Sequence, residues 1–135
     1  MQWNKGIEQA RGEWIWIAES DDVADVSLLE NLIHLAEQDE NIVLSYCQSY
    51  KIDAEGKIIG NWIDWTEDLD DSFFKRNFTI VGYEYIKKFL HYKNTIPNAS
   101  AVIFKKESYF IVDKANIDVP FCADWLLWLK LLTIG

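Results

Sequence analysis

Four acidic residues lie close together near the start of the chain, at a spacing that could hold a metal ion: Glu19, Asp21, Asp22 and Asp25. Carboxylates this close repel one another, and burying them is costly unless a cation or a strong donor offsets the charge. Hard cations such as Mg²⁺ and Mn²⁺ prefer oxygen ligands, and Mg²⁺ often takes one or two carboxylates with phosphate and water. The cluster is therefore a candidate site for a metal ion bound to a diphosphate.

The same cluster has a plainer interpretation as a solvated loop. Short acidic turns are common on protein surfaces. Aspartate is also a favoured residue at the start of a helix, where its side chain accepts a backbone N–H. The spacing of the four acids leaves both interpretations open.

Composition excludes several other classes of protein. The chain has 135 residues and a net charge of −9, and half of its residues are apolar. This length predicts one domain at most, and the apolar fraction is enough for a core. The acidity argues against binding nucleic acid, which needs clustered Lys and Arg. No apolar run reaches the roughly 18 residues of a membrane span.

No secretory signal is visible, so we expect a reducing cytoplasmic compartment, with Cys47 and Cys122 as small core residues.

Apolar periodicity predicts the elements that position these acids. The 3.6-residue period predicts helices over residues 2–11, 28–38, 82–91 and 106–111, and from Asp124 onward. Short apolar runs predict strands over 14–18, 42–50 and 101–104, and the turn at 53–56 predicts a hairpin with 57–59. Ser27, with Glu30 three residues later, resembles a capping box. Residues 60–81 show no period, and we interpret them mainly as loop.

Alternation of helices and strands predicts an α/β fold with parallel connections. In such sheets the ligand site lies beyond the carboxyl ends of the strands. The first acidic cluster and the segment after Phe104 both come at such ends.

The order of motifs from Asn4 to Asp22 resembles the central part of the family 2 glycosyltransferases. The pattern there is Asn-x-Gly, then Ala-x-Gly, an aromatic–Ile strand, an Asp-x-Asp-Asp type motif and an amphipathic helix. This chain has them in order, as residues 4–6, 10–12, 14–17, 19–22 and 28–38. The resemblance implies a partial GT-A fold, which is a Rossmann-like mixed sheet flanked by helices.

The resemblance also implies roles for the acidic cluster. Asp21 and Asp22 match the Asp-x-Asp motif and would hold Mn²⁺ or Mg²⁺ on the diphosphate of a sugar nucleotide, with Asp22 the more direct ligand. Glu19 stands where the longer motif has its first Asp, and would face the ribose or a metal-bound water. Glutamate is a departure from the pattern, since its extra methylene moves the carboxylate.

A second part of the resemblance lies nearer the end of the chain. Residues 94–104 look like the acceptor-side segment of the family, and residues 121–129 resemble the segment with its Glu-Asp motif. Asp124 takes the place of the general base for the acceptor hydroxyl, although Ala123 stands where Glu is usual. The alternative is that Asp124 only caps the last helix.

Tryptophans flank both candidate regions. Trp125 and Trp128 could line a sugar site, but their helical spacing favours the core. Trp62 and Trp65 lie in an acidic loop and are better candidates for a lid that faces the acceptor, since loops on a rigid sheet often carry binding residues. They could equally be anchors for a long loop.

The resemblance covers nearly all 135 residues, as a single partial catalytic domain. Family members begin with βα units that bind the base and ribose. A βαβ unit takes about 30 residues or more, whereas only three residues precede Asn4. We therefore expect this chain alone to bind sugar nucleotide weakly and to turn over slowly or not at all. An exposed sheet edge invites pairing with another chain, so we also expect a homo-oligomer.

Two functional hypotheses follow. The first is transfer of a sugar from a nucleoside diphosphate sugar to a hydroxyl acceptor, in surface polysaccharide synthesis. The protein would then be cytoplasmic or peripheral to the membrane, and the reaction would invert the anomeric centre if Asp124 is the base. The second is a non-catalytic truncated domain that is kept as a scaffold or partner-binding module.

Overall fold

The computed structural model describes residues 2–115 and 122–135, which form helices and short strands. No helix among these residues is long and apolar enough to cross a membrane. One of the helices, Gly82–Tyr85, continues directly into a π-helical turn, Ile86–Leu90. The elements in chain order are α1 (Gln2–Gln9), β1 (Trp14–Trp16), α2 (Leu28–Ala36), β2 (Leu44–Tyr46), β3 (Tyr50–Ile52), β4 (Ile58–Asn61), α3 (Gly82–Tyr85), β5 (Val102–Lys105), α4 (Lys106–Ile111) and α5 (Ala123–Leu131).

The main sheet has three strands in the order β1-β5-β2. Strand β5 is antiparallel to both neighbours, with Phe104 opposite Ile15 on one side and Ile103 opposite Ser45 on the other. The outer strands therefore run in the same direction without pairing with each other.

Strands β3 and β4 form a separate antiparallel hairpin, as the turn at 53–56 predicts. The mixed α/β class is confirmed and fits a partial GT-A domain. The connection from β1 through α2 to β2 is parallel, as expected, but each hydrogen-bonded pair of described strands is antiparallel because β5 runs back between the two outer strands.

Strand β5 is buried on both faces, and its alternate side chains belong to two different layers. Phe104 packs on one face with Tyr109 and Trp128, whose rings lie 5.8 and 5.9 Å from its own. Ile103 packs on the other face in a cluster with Leu32 and Ala36 of α2. The sheet is thus covered by α2 on one side and by α4 and α5 on the other.

Helix α5 supplies much of the larger core. Leu127, Trp128 and Leu131 are fully buried. Trp125 packs against the same cluster, and its Nε1 donates to the carbonyl oxygen of Leu90 at 2.8 Å. The interpretation of both tryptophans as core residues is confirmed.

A chain of buried hydroxyls ties the segment before β5 to the rest of the fold. The hydroxyls of Tyr46 and Tyr85 are 2.8 Å apart, and that of Tyr85 is 2.7 Å from Oγ1 of Thr95, which is completely buried. Burial raises the pKa of Tyr85 to about 12 and that of Tyr46 well above its ordinary value. Both tyrosine hydroxyls therefore stay protonated near neutral pH, and like the hydroxyl of Thr95 they can donate as well as accept.

Two local expectations are wrong. Ser27 precedes α2 but makes no side-chain capping bond; its hydroxyl donates to Oδ1 of Asp25 and accepts from Nδ2 of Asn31. A competing local acceptor thus replaces the expected capping box. Cys47 is half-buried, as a small core residue can be, but Cys122 is exposed and has φ of 61°. Cys122 lies in the turn that precedes α5, where its left-handed backbone conformation directs the chain into the helix.

Gly82 begins α3 where the end of the chain passes directly over it. Its N–H donates to the carbonyl oxygen of Gly135 at 2.7 Å. A Cβ on Gly82 would lie 2.3 Å from the carbonyl oxygen of Leu132, so this contact leaves no room for a side chain.

We expect Gly82→Ala to lower stability by at least about 1–3 kcal/mol, the usual range for overpacking, because backbone atoms must move. Gly6→Ala is the matched control: it lies within α1 with no atom within 4 Å of the added Cβ. The control should gain about 0.5–1 kcal/mol from reduced backbone entropy. Urea unfolding of both variants measures the difference, and equal midpoints would contradict the packing argument.

We expect Tyr85→Phe to cost about 1–3 kcal/mol, because it leaves the hydroxyls of Tyr46 and Thr95 without their shared partner. Tyr83→Phe removes the same group from a side chain that is 60% exposed, and should stay within about 0.5 kcal/mol of wild type. Chemical denaturation checks both values. A loss of similar size in the two variants would show that the buried chain of hydroxyls adds nothing.

Candidate functional site

The acidic motif lies directly after β1, in a tight turn in which the N–H of Asp22 donates to the carbonyl oxygen of Glu19 at 3.4 Å. Asp21 and Asp22 are exposed, whereas Glu19 is half-buried. Strand β1 ends at Trp16, so the chain leaves the sheet and reaches solvent within a few residues. This is the strand-end position that the sequence predicts for the motif.

Glu19 is held from two sides by residues distant in sequence. Its Oε1 accepts the indole N–H of Trp3 on α1 at 3.0 Å. Its backbone N–H donates to Oγ of Ser100 at 3.0 Å. The carbonyl oxygen of Ser100 in turn accepts the indole N–H of Trp16 at 2.8 Å, which attaches the turn to the end of β1. Glu19 therefore has a structural role in orienting the motif, beside any role toward a ligand.

The acids of the first cluster have different surroundings. Asp25 accepts from the hydroxyl and N–H of Ser27, and these hydrogen bonds lower its pKa. Among residues 2–115 and 122–135, no three His, Cys, Asp or Glu side chains converge on a possible metal site. The two exposed carboxylates of Asp21 and Asp22 still fit the mode in which Mg²⁺ takes one or two carboxylates and completes its shell with phosphate and water. The donor chemistry thus fits a metal–diphosphate.

A cleft of about 440 Å³ opens beside Glu19, between α1 and β1. Its walls are largely aromatic and apolar, with Trp3, Ile7, Trp14 and Trp16 among the lining residues. The indole N–H of Trp3 points to the Glu19 carboxylate at the edge of this cleft. The acidic motif therefore borders a concave surface that several aromatic side chains line.

Asp124 is the second residue of α5, and Cys122 occupies the capping position. Within the described residues its carboxylate bonds to no backbone N–H of that helix. Instead, Oδ2 accepts from Nδ2 of Asn94 at 3.1 Å. The capping interpretation of Asp124 is therefore wrong for the described contacts. A half-buried carboxylate at this end of a helix is nevertheless favoured by the helix dipole.

The loop that carries Trp62 and Trp65 lies against Asn94, the partner of Asp124. The indole N–H of Trp65 donates to the carbonyl oxygen of Asn94 at 2.9 Å, and 46% of Trp65 is exposed. Nζ of Lys93 lies 4.5 Å from the centre of the Trp65 ring and also pairs with Asp68, whose pKa this hydrogen bond lowers. The ring of Trp62 lies 6.1 Å from that of Trp65. Trp65 is thus both an anchor of its loop and a partly exposed surface beside Asn94.

The structure connects the two candidate regions through one segment, residues 94–101. Ser100, at one end, contacts Glu19, and Asn94, at the other end, contacts Asp124. No hydrogen bond among the described residues joins Asp124 directly to Asp21 or Asp22. Sequence reasoning places the segment on the acceptor side but does not assign contacts to Trp3, Asn94 or Ser100. Their partners lie 16, 30 and 81 positions away along the chain, and no local pattern signals such pairs.

Comparison with known proteins agrees with this arrangement. The model of one protein family, described as glycosyl transferase family 2, matches residues 2–110. Searches of the curated proteins and of the solved structures returned no match. The matched residues include α1, β1, the acidic motif and β5, while Asp124 and α5 lie beyond them. Since the match covers most of the chain, this protein belongs to glycosyltransferase family 2.

Proposed function

We propose that this protein transfers a sugar from a nucleoside diphosphate sugar to a hydroxyl acceptor, using the acidic motif for the donor and Asp124 for the acceptor. The observation that carries the proposal is the position of Asp21 and Asp22. Both carboxylates are exposed directly after β1, within the residues that match the family. The other acids of the cluster, Glu19 and Asp25, accept hydrogen bonds from Trp3 and Ser27, whereas these two are available to a ligand.

The roles divide between the two regions of the site. Asp21 and Asp22 hold Mn²⁺ or Mg²⁺ on the donor diphosphate, with Asp22 as the main ligand. A divalent cation, when bound there, neutralises charge on the leaving diphosphate. Glu19 fixes the turn that carries both aspartates, through its hydrogen bonds with Trp3 and Ser100.

Asp124 accepts the proton of the acceptor hydroxyl in this proposal. One of its oxygens is bound by Asn94, and the other accepts no hydrogen bond from the described residues. A carboxylate with one oxygen held and one available suits a general base, which must reach the hydroxyl within hydrogen-bond distance. Attack by that hydroxyl from the side opposite the leaving diphosphate inverts the anomeric centre.

The family resemblance extends the proposal to the acceptor and the location. The acceptor is a saccharide of a surface polysaccharide, and the protein acts in the cytoplasm or at the inner face of the membrane. Trp65, half-exposed and adjoining Asn94, provides an aromatic face on which such a saccharide can stack.

We expect UDP with Mn²⁺ to raise the melting temperature of the wild type, since a ligand at 100 times its dissociation constant stabilises by about 2.7 kcal/mol. Asp22→Ala should lose most of this shift. Asp71→Ala, at an exposed acid far along the chain from the motif, is the matched control and should keep it. A full shift in Asp22→Ala, or none in the wild type, would reject the site assignment.

We expect Asp124→Asn to lower sugar transfer about 100-fold or more, the usual contribution of a general base, while the shift with UDP and Mn²⁺ stays as in the wild type. UDP release from UDP-glucose and UDP-N-acetylglucosamine, with p-nitrophenyl glycosides as acceptors, measures the reaction. Asp71→Asn is the control for charge removal. Equal rates in Asp124→Asn and wild type would exclude Asp124 as the base. A wild type that binds UDP but transfers nothing would favour the scaffold hypothesis.

A further inference from the structure

Asn94 makes three hydrogen bonds, two through its side chain and one through its main-chain carbonyl oxygen. Its Nδ2 donates to Oδ2 of Asp124 at 3.1 Å, and its Oδ1 accepts the N–H of Ile96 at 3.3 Å. Its main-chain carbonyl oxygen accepts the indole N–H of Trp65 at 2.9 Å. The side chain therefore bridges its own backbone and the first turn of α5.

These partners determine which way the Asn94 amide points. The N–H of Ile96 can only donate, so the oxygen of the amide must face it. The carboxylate of Asp124 can only accept when ionised, so the NH₂ group must face Asp124. Asparagine is thus matched to both partners, whereas aspartate would repel Asp124 and leucine would bond to neither.

The backbone of Asn94 is itself fixed by its surroundings. The next residue, Thr95, is completely buried and ends the chain of hydroxyls from Tyr46 and Tyr85. On the outer side, Trp65 holds the carbonyl oxygen of Asn94, and Lys93 lies over the Trp65 ring. The NH₂ group that donates to Asp124 is therefore carried by a backbone that is held on both sides.

We infer that Asn94 is a positioning residue, which holds the Asp124 carboxylate in one rotamer with its second oxygen directed to the acceptor hydroxyl. This inference rests on the proposed role of Asp124 as the base. An unrestrained aspartate samples several rotamers, and a displacement of about 1 Å at a reacting group can lower a rate about 100-fold. The hydrogen bond from Asn94 restricts that freedom.

The chain offers a matched control for this pair. Asn41 donates its Nδ2 to Oδ1 of Asp39 at 2.9 Å, in the same Asn–Asp arrangement, but both residues are exposed in the turn after α2. Asn94→Asp and Asn41→Asp therefore replace the same donor by the same carboxylate, one beside Asp124 and one away from it. Asn94→Asp also keeps an oxygen for the N–H of Ile96 and leaves the contact with Trp65 unchanged.

The experiment has two readouts on wild type, Asn94→Asp, Asn94→Ala and Asn41→Asp. Three-bond couplings from Cγ of Asp124 to its backbone nitrogen and carbonyl carbon report its χ1 rotamer by NMR. We expect one rotamer in wild type and Asn41→Asp, and averaged couplings in both Asn94 variants. For transfer from UDP-sugar, we expect kcat about 10–100-fold lower in the Asn94 variants, with KM for the donor changed less than about threefold.

A single Asp124 rotamer in the Asn94 variants, or averaged couplings in wild type, would overturn the inference. So would an unchanged kcat in the Asn94 variants of an active enzyme. A wild type that transfers no sugar would reject the proposed function alone, because the couplings still decide whether Asn94 orients Asp124. A general loss of folding in the Asn94 variants would appear in all the amide signals, whereas a positioning role affects those around Asp124.

Discussion

Burial of β5 on both faces is the constraint on which the arrangement of the site depends. Val102, Ile103 and Phe104 are at most 1% exposed, and the strand bonds to β1 on one edge and to β2 on the other. It cannot shift without uncovering two layers of the core, because its alternate side chains pack in both. The residues immediately before it, 94–101, therefore lie at a defined position, and from there they contact both candidate regions.

That lead-in segment is polar although it is mostly buried. Buried polar groups are costly when unpaired, and here they are paired. Thr95 bonds to Tyr85, Ser100 bonds to the backbone of Glu19, and Asn98 accepts the N–H of Ala101 at 2.8 Å. Each of these hydrogen bonds joins the segment to a different element or closes its own turn. The polar composition of the segment is thus what allows it to hold the acidic motif and α5 in fixed relation to the sheet.

The acidic residues behind the net charge of −9 differ in how the protein engages their carboxylates. Several acids serve their own loops: hydrogen bonds from Asn41, Lys93 and Ser72 lower the pKa of Asp39, Asp68 and Asp70, respectively. Asp21 and Asp22 have no such local partner among the described residues, although they lie in an equally tight turn. The excess of negative charge is therefore partly structural, whereas the two exposed carboxylates directly after β1 are not engaged by the described residues.

Local patterns predicted most elements of this fold, although the single strand expected over 42–50 is two strands, β2 and β3, in different sheets. The predicted helix over residues 106–111 matches α4, and the turn at 53–56 joins the expected hairpin, because the period of the apolar residues depends on near neighbours alone. The residues of the acidic motif and its place at a strand end could also be predicted from the sequence, as could the family. Two features were decided only by the tertiary structure: the antiparallel direction of β5 and the exposure of Cys122. The same holds for the contacts of Trp3, Ser100 and Asn94. Such pairs depend on how distant elements pack, since donors and acceptors far apart in the chain meet only after the core has formed around β5.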